Sequence, residues 1–353
     1  MTALADLLIR RIRATGPITV ADYMAECLLH PTLGYYTTHE PFGAQGDFIT
    51  APEISQMFGE MLGLCLAQSW LDQGAPTPFT LAEIGPGRGT LMADVLRATR
   101  AIPGFHTAAQ VTLIEASPRL RDRQKTTIAP HPARWTADLA DLPEAPLFLL
   151  ANEFFDALPI RQFIRHHDGW QERLIGLQQD RLAFGLSAPT RLAALEHRLP
   201  DSAPGEIVET CAAATAIVAQ IASRIAAHGG TALILDYGDW RSRGDTLQAL
   251  RHHAFTGPLD SPGLADLTAH VDFEALARAA APCAVSALTP QGVLLERLGI
   301  VPRAQVLAER LDGPALQSHI AALRRLTHPE EMGRLFKALA LHPSGLPPPP
   351  GFD

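Results

Sequence analysis

The chain has 353 residues, of which 47% are hydrophobic and 19% are charged, and its formal net charge is -8. This composition is typical of a globular protein long enough for two domains, or for one domain with an insertion. The acidic balance argues against broad binding of nucleic-acid phosphates, and the four scattered cysteines predict reduced thiols instead of a disulfide framework or a zinc site.

The first segment, residues 1–75, is predicted to be helical at both ends, because apolar residues recur there at the i, i+3, i+4 spacing. A loop rich in Gly, Pro and Thr, residues 30–52, separates the two helical parts. No apolar run is long enough to span a bilayer, so no integral membrane association is expected.

The loop ends in the sequence GDFITAPE, residues 46–53. One interpretation is a lid that folds over a bound ligand, with Thr50 and Glu53 as its polar contacts. The other is an ordinary loop in which Thr50 caps the next helix and Glu53 completes a capping box. Both interpretations can be true together.

From residue 76 onward strands and helices alternate, which predicts an α/β fold with a parallel sheet. The first part of this core is predicted over residues 76–157, an antiparallel insertion over 158–203, the remainder of the core over 204–342, and a Pro-rich tail, extended or disordered, over 343–353. The predicted elements are strands at 79–84, 110–114, 134–138, 147–151, 231–236 and 283–288, helices at 90–100, 118–127, 207–228 and 272–280, and a hairpin at 161–175 with an Asp168-Gly169 turn.

A glycine-rich loop follows the first predicted strand. Gly85, Gly87 and Gly89 have the spacing G-x-G-x-G, and Glu83 lies two positions before them. Glycines remove the Cβ atoms that would keep a ligand from the main chain. The spacing differs from that of dinucleotide folds. It suits S-adenosyl-L-methionine (SAM), which carries no phosphate. The alternative is a turn that only reverses the chain.

Acidic residues stand at the ends of successive predicted strands, where ligands bind in open α/β sheets. We expect Glu115 to accept both ribose hydroxyls and Asp138 to accept from the adenine amine. Glu83 is expected to meet the methionyl ammonium, and Arg88 its carboxylate. An exposed loop arginine is the alternative interpretation of Arg88.

The fourth strand of this predicted sheet is followed by Asn152, Glu153 and Asp156. Two carboxylates three residues apart suit a planar cation, and the guanidinium of arginine is the natural one. Glu153 and Asp156 would clamp it and Asn152 would hold it through its amide. The alternative is that Asp156 caps the next helix and only Glu153 faces the site.

One histidine, His270, could take the released proton, because imidazole titrates near neutral pH. A structural role in a helix-capping segment is the alternative. The pairs His166-His167 and His252-His253 are interpreted as exposed residues, and no metal site is expected.

Seven segments resemble the MidA-like family: GDFITAPEISQMFGE (46–60), AEIGPGRGTLMADVLR (82–97), LIEASPRLRDRQ (113–124), ANEFFDALPIRQF (151–163), DYG (236–238), DTLQALRHHAF (245–255) and PGLADLTAHVDF (262–273). Mitochondrial members of that family are respiratory complex I assembly factors with protein arginine methyltransferase activity. The resemblance implies a class I SAM-dependent methyltransferase fold, Rossmann-like, with added helical and antiparallel segments. It also implies symmetric dimethylation of an arginine in a complex I subunit for the mitochondrial branch.

The predicted function is therefore transfer of a methyl group from SAM to an arginine-containing protein. The alternatives are a non-protein acceptor and a non-catalytic, SAM-binding assembly chaperone; the loop spacing argues against a NAD-linked dehydrogenase. No nucleic-acid partner is expected. The predicted location is the cytoplasm for a bacterial chain and the mitochondrial matrix for a eukaryotic one. The oligomeric state stays open, with a homodimer as one alternative.

Overall fold

The computed structural model describes residues 2–38, 49–251 and 253–352. In that part of the chain the strands are β1 (Ile18–Thr19), β2 (Phe79–Ile84), β3 (Ala109–Ile114), β4 (Arg134–Thr136), β5 (Leu147–Asn152), β6 (Arg161–His166), β7 (Gly169–Gln178), β8 (Arg181–Leu186), β9 (Ile207–Thr210), β10 (Gly230–Asp239), β11 (Gln248–Arg251), β12 (Ala254–Thr256), β13 (Asp266–Thr268), β14 (Val271–Asp272), β15 (Ala284–Val285), β16 (Thr289–Pro290) and β17 (Phe336–His342).

The same residues form the helices α1 (Ala3–Thr15), α2 (Val20–Leu29), α3 (Tyr35–Thr38), α4 (Ala51–Ile54), α5 (Gln56–Asp72), α6 (Thr90–Ala98), α7 (Phe105–Ala108), α8 (Pro118–Ile128), α9 (Ala212–His228), α10 (Phe273–Ala279), α11 (Gln291–Arg297), α12 (Ile300–Ala308), α13 (Gly313–Thr327) and α14 (Met332–Leu335). Short 3-10 helices cover Thr99–Ala101, Leu139–Asp141 and Ala193–Asp201. Within this part of the chain, none of the helices combines the length and hydropathy that crossing a bilayer requires.

The chain divides into two compact units. The first comprises the described residues of 1–48, 156–214 and 241–272, and the second comprises 49–155, 215–240 and the described residues of 273–353. This division does not follow the predicted segment boundaries, because each unit is assembled from stretches that are distant in sequence.

The second unit is built on a sheet with the strand order β15-β17-β10-β5-β2-β3-β4. The five strands from β10 to β4 are parallel, whereas β17 runs antiparallel to β10 and to β15. Ile84 at the end of β2 lies opposite Ile114 of β3 and Ala151 of β5. Three strands therefore end level at one edge, and the predicted α/β architecture is confirmed.

The core of this unit explains why its strands form. Every residue of β2 and β5 is buried, as expected for parallel strands covered on both faces. Trp70 of α5 packs on Phe79 and Phe105 with ring centroids 5.6 and 5.3 Å away. This cluster fixes the amino end of β2.

The first unit holds an antiparallel sheet in the order β1-β7-β6-β9, with β8 paired to β7, and a smaller sheet in the order β12-β11-β13. The predicted hairpin is present as β6 and β7. His166 lies opposite Gly169, so the turn residues are His167 and Asp168, one position earlier than the predicted Asp168-Gly169 turn.

Several predicted elements are corrected by the structure. Residues 207–210 form β9 instead of the start of a helix, because this β-branched stretch pairs with β6. The predicted strands at 134–138 and 283–288 shorten to β4 and β15, and the strands β11 to β13 were not predicted.

The Pro-rich tail has no regular secondary structure, as expected, but it is ordered by packing. Phe352 is 2% exposed and belongs to the core of the second unit. The Pro350 carbonyl accepts from Cys65 Sγ at 3.4 Å, and the Gly351 carbonyl accepts from Arg297 Nη1 at 3.0 Å. The packing of Phe352 thus connects the tail to the sheet unit, which argues against the disordered alternative of the two that were expected.

Candidate functional site

The glycine loop joins β2 to α6 at the carboxyl edge of the sheet. Gly85, Gly87 and Gly89 have φ values of 65°, 50° and 81°, a left-handed region that favours glycine. A Cβ atom on Gly85 would lie 2.7 Å from Cδ2 of Phe154. Both the backbone conformation and the close approach of Phe154 therefore require glycine at position 85.

The carboxyl group of Glu83 lies directly before this loop and is 3% exposed. Burial raises the pKa of Glu83 to about 8, the Met92 backbone N–H opposes that rise, and the charges of Asp94 and Glu115 add to it. Its Oε2 atom has no hydrogen-bond partner among the described residues. A buried acceptor without a donor is costly, so this oxygen fits a cationic N–H donor from a ligand.

The carboxylate of Glu115 stands at the end of β3. It accepts from Ser117 N at 2.7 Å and from Gln124 Nε2 at 3.1 Å. Burial raises the pKa of Glu115, and both of these hydrogen bonds lower it. Two fixed donors hold the carboxylate in one orientation, which suits the predicted recognition of paired hydroxyl groups.

The sequence analysis missed Gln124, which is fully buried in α8 and contacts both Glu115 and the glycine loop. Helical spacing could have indicated that Gln124 is buried. Gln124 lies four residues before Ile128, the other buried residue of α8, and therefore on the same face of the helix. A polar residue on the apolar stripe of a charged helix indicates a buried partner.

The guanidinium of Arg88 is paired within the protein. Its Nη1 lies 3.3 Å from Glu53 Oε2, and Thr90 Oγ1 donates to Glu53 Oε1 at 2.5 Å. Glu53 therefore links α4 to the glycine loop instead of completing the predicted capping box. The predicted contact of Arg88 with a methionyl carboxylate stays a prediction, and such a ligand would share Arg88 with Glu53.

The amino end of α4 is capped by Glu153, not by Thr50. Thr50 has N-cap backbone angles but makes no side-chain cap hydrogen bond. Glu153 Oε1 accepts from Ala51 N at 2.8 Å and from Asn152 Nδ2 at 3.0 Å. The ligand contact predicted for Thr50 stays a prediction, and the part of the predicted lid over residues 46–48 lies outside the described residues.

The pair Asn152 and Glu153 occupies the end of β5. Glu153 has a φ of 50°, a strained value for a residue with a side chain, and its N–H donates to Leu235 O at 2.9 Å. Asn152 is 9% exposed, and its Oδ1 atom has no partner among the described residues. Next to β5, Asp236 is fully buried and accepts from Phe155 N and Tyr237 N, both at 2.9 Å.

The side chain of Asp138 is exposed and caps the short helix Leu139–Asp141 by accepting from Ala140 N at 2.9 Å. Its predicted contact with adenine therefore stays a prediction. A cavity of about 380 Å³ opens beside this turn, and it is lined by Thr112, Arg121, Arg134, Trp135, Thr136, Ala137, Asp141 and Pro143.

The two other predicted catalytic residues, Asp156 and His270, belong to the first unit. The Asp156 carbonyl accepts from Ala269 N at 2.9 Å, and His270 N donates to Thr246 Oγ1 at 2.8 Å. Asp156 therefore falls in a different unit from Glu153. His252 lies outside the described residues, and those residues contain no group of three His, Cys, Asp or Glu side chains suited to a metal ion.

The arrangement in the second unit fits a nucleoside that carries a cationic group. The glycine loop lies at the carboxyl edge of the sheet with left-handed backbone angles, and Glu115 offers an oriented carboxylate. Glu83 offers a buried oxygen that has no hydrogen-bond partner among the described residues. SAM has these features: a ribose with two hydroxyls, an ammonium and a sulfonium.

Comparison with known proteins agrees with this assignment. Residues 61–291 match a family described as "Putative S-adenosyl-L-methionine-dependent methyltransferase". The chain is 37% identical to "Protein arginine methyltransferase NDUFAF7, mitochondrial" of Xenopus tropicalis, over 99% of this chain and 89% of the relative. It is 36% identical to the protein of the same name from Homo sapiens, over 97% of this chain and 84% of the relative.

A solved structure is also similar. A protein from Burkholderia thailandensis, crystallised with S-adenosyl-homocysteine, matches with a TM-score of 0.82 and 29% identity, over 99% of this chain and 92% of that chain. S-adenosyl-homocysteine is SAM without its transferable methyl group.

Proposed function

The chain belongs to this family of SAM-dependent methyltransferases, and on that premise we propose that it methylates the guanidinium of an arginine in a protein. The observation that carries the proposal is the Asn152-Glu153 pair at the end of β5. A buried amide oxygen that has no donor among the described residues stands there beside an oriented carboxylate, and both are acceptors for the N–H groups of a cation.

Glu153 is prepared for this role by the protein itself. Ala51 N and the Asn152 amide hold its Oε1 atom, so the carboxylate does not have to be ordered when an acceptor binds. A carboxylate on two guanidinium nitrogens concentrates the positive charge there and leaves the remaining nitrogen more nucleophilic. The clamping role of Asp156 and the proton-accepting role of His270 stay predictions from the sequence.

The cofactor is held by the groups around the glycine loop. Glu83 would pair with the methionyl ammonium, and Glu115 would accept from the ribose hydroxyls. When bound, SAM supplies a methyl group activated on a sulfonium. The residues of this chain bind and orient both partners, and orientation is the main contribution a protein makes to such a transfer.

The acceptor we propose is a subunit of respiratory complex I, on the strength of the family resemblance and of relatives that are named mitochondrial protein arginine methyltransferases. The names of those relatives give no support to a cytoplasmic location, so that expectation is limited to a bacterial source. In a eukaryotic source we place the protein in the mitochondrial matrix.

Replacement of Glu153 tests the acceptor site separately from the cofactor site. We expect Glu153→Gln to lower methyl transfer about 100-fold or more, because an oriented charge is lost, and to change SAM affinity only a few-fold. The readouts are incorporation of labelled methyl groups into a lysate that lacks the protein and calorimetric titration with SAM. Mass spectrometry of the labelled band identifies the modified residue.

Glu144→Gln is the matched control, since Glu144 is an exposed carboxylate of the same unit. Full activity of Glu153→Gln would refute the clamp. Label on a lysine, a small molecule or RNA would replace arginine as the acceptor. No label, with SAM still bound, would favour a non-catalytic assembly role.

A further inference from the structure

A buried glutamine connects the glycine loop to Glu115. Gln124 is fully buried, and its Nε2 atom donates to Gly87 O at 2.8 Å and to Glu115 Oε2 at 3.1 Å. Its Oε1 atom accepts from Trp135 Nε1 at 2.8 Å. One side chain thus contacts the ends of two neighbouring strands, the loop after β2 and the carboxylate after β3.

Trp135 fixes which way the amide points. An indole N–H can only donate, so the atom that faces Trp135 must be the amide oxygen. The NH₂ group then faces the Gly87 carbonyl and the Glu115 carboxylate, which both accept hydrogen bonds. The reverse orientation would set the amide oxygen against a carbonyl and a carboxylate, which is unfavourable.

The backbone of Gln124 is close to the loop as well. A Cβ atom on Gly89 would lie 3.4 Å from Gln124 Cα, so α8 packs directly against the last glycine of the loop. The same helix holds the backbone of Glu115, because Arg121 Nε donates to the Glu115 carbonyl at 2.8 Å. Helix α8 therefore restrains both the loop and the acidic residue.

We propose that Gln124 is a positioning residue that sets the Glu115 carboxylate relative to the glycine loop and thereby determines the affinity for SAM. The inference rests on the ribose-binding role proposed for Glu115. Gln124 contacts no ligand itself and acts through the carboxylate and the Gly87 carbonyl. Its donor also favours the charged form of Glu115, since this hydrogen bond lowers a pKa that burial raises.

Two variants of Gln124 distinguish a role in positioning the Glu115 carboxylate from a role in stabilising the fold alone. Gln124→Met keeps the length of the side chain and removes the donor. We expect the Kd and KM for SAM to rise about tenfold, the effect of one lost hydrogen bond to a charged group, while kcat at saturating SAM changes less than about twofold. Gln291→Met is the matched control, because Gln291 is also fully buried in this unit but donates to Leu326 O.

Gln124→Glu provides a second measurement, the pH dependence of SAM affinity, which would not change if Gln124 only supported the fold. Two carboxylates at hydrogen-bond distance share one proton near neutral pH. The ratio of the SAM Kd of this variant to that of the wild type should therefore fall as the pH is lowered from about 8 to about 6, as the pair takes up a proton.

If Gln124→Met binds SAM as tightly as Gln291→Met does, or if the ratio for Gln124→Glu is independent of pH, the positioning role is wrong. Because the Kd titrations contain no methyl acceptor, their outcome is independent of whether arginine is the substrate; KM and kcat are measured with the acceptor that the labelling experiment identifies. An unchanged Kd in Glu115→Ala would instead overturn the ribose role on which the inference rests.

Discussion

At the scale of single residues, the pairing proposed between Glu83 and the methionyl ammonium would link ligand binding to protonation. Its pKa is raised to about 8, chiefly by burial, so near pH 7 the carboxyl group is mostly neutral in the free protein. A bound ammonium favours the charged form and lowers that pKa. If Glu83 pairs with the methionyl ammonium as proposed, binding of the cationic cofactor removes a proton from Glu83.

We predict release of about one proton per SAM bound near pH 7, and an affinity that increases from about pH 6 to about pH 7.5. Calorimetry in buffers of different ionisation enthalpy measures the proton directly. Glu83→Gln should bind SAM weakly and release no proton. Proton release that persists in this variant would assign the titration to another group.

The same shift has a cost in stability. An acid whose pKa is higher in the folded than in the unfolded state binds more protons when folded, so stability decreases as the pH rises between the two values. For Glu83 these pKa values are the ordinary 4.5 of a glutamate side chain and about 8. Glu83→Gln should therefore be more stable than the wild type near pH 7, even though it loses the ligand.

The strand pattern in the sequence predicted the position of Glu83, Glu115 and Asn152 at the carboxyl edge of the parallel sheet, while their roles there stay predictions. It could not assign their partners. Glu153 caps a helix whose first residue is 102 positions earlier in the chain, and Glu53 reaches Thr90 across 37 positions. Such contacts depend on the finished fold and leave no local pattern.

At the scale of secondary-structure elements, the β2–α6 connection depends on glycine for two reasons that can be separated. Gly85→Ala combines an unfavourable backbone conformation with a clash against Phe154. Gly74 has a similar φ, 83°, and no atom of the described residues lies within 4 Å of a Cβ added there. We expect Gly85→Ala to be more destabilising than Gly74→Ala by about 1–3 kcal/mol, measured by urea denaturation.

Only Gly85→Ala should also weaken SAM binding, because Phe154 or the loop must move to admit the methyl group. Equal losses of stability in the two variants, with unchanged SAM affinity, would show that the Phe154 side chain moves away from the added methyl group at little energetic cost. The close approach would then have no part in shaping the loop.

Elements with a clear pattern were predicted well, and elements defined by pairing were not. The bounds of β2 were predicted without error, since an apolar run stops at the glycines. The strand β9 was predicted as part of a helix because only Cys211 separates it from α9, and no Gly or Pro marks the boundary. No strand was predicted at β17, although it pairs with β10 over six residue pairs, because it is late in the chain and runs antiparallel to the others.

At the scale of the whole molecule, the C-terminal tail contributes the buried side chain of Phe352 to the core of the second unit. Removing a fully buried phenylalanine leaves a cavity, so Phe352→Ala should destabilise the second unit by about 3–5 kcal/mol. Phe255→Ala is the control, since Phe255 is 77% exposed, and it should change stability by less than about 0.5 kcal/mol. Urea denaturation measures both; similar values would mean that the tail is not part of the core.

The position of β17 in the sheet has a consequence for biosynthesis. All three stretches of the first unit precede residue 273, whereas the second unit needs β17 to complete its sheet and Phe352 to fill its core. A nascent chain can therefore finish the first unit while the ribosome is still translating the rest. The second unit completes its sheet and its core only after β17 and Phe352 have been synthesised, and until then β10 lacks its antiparallel neighbour.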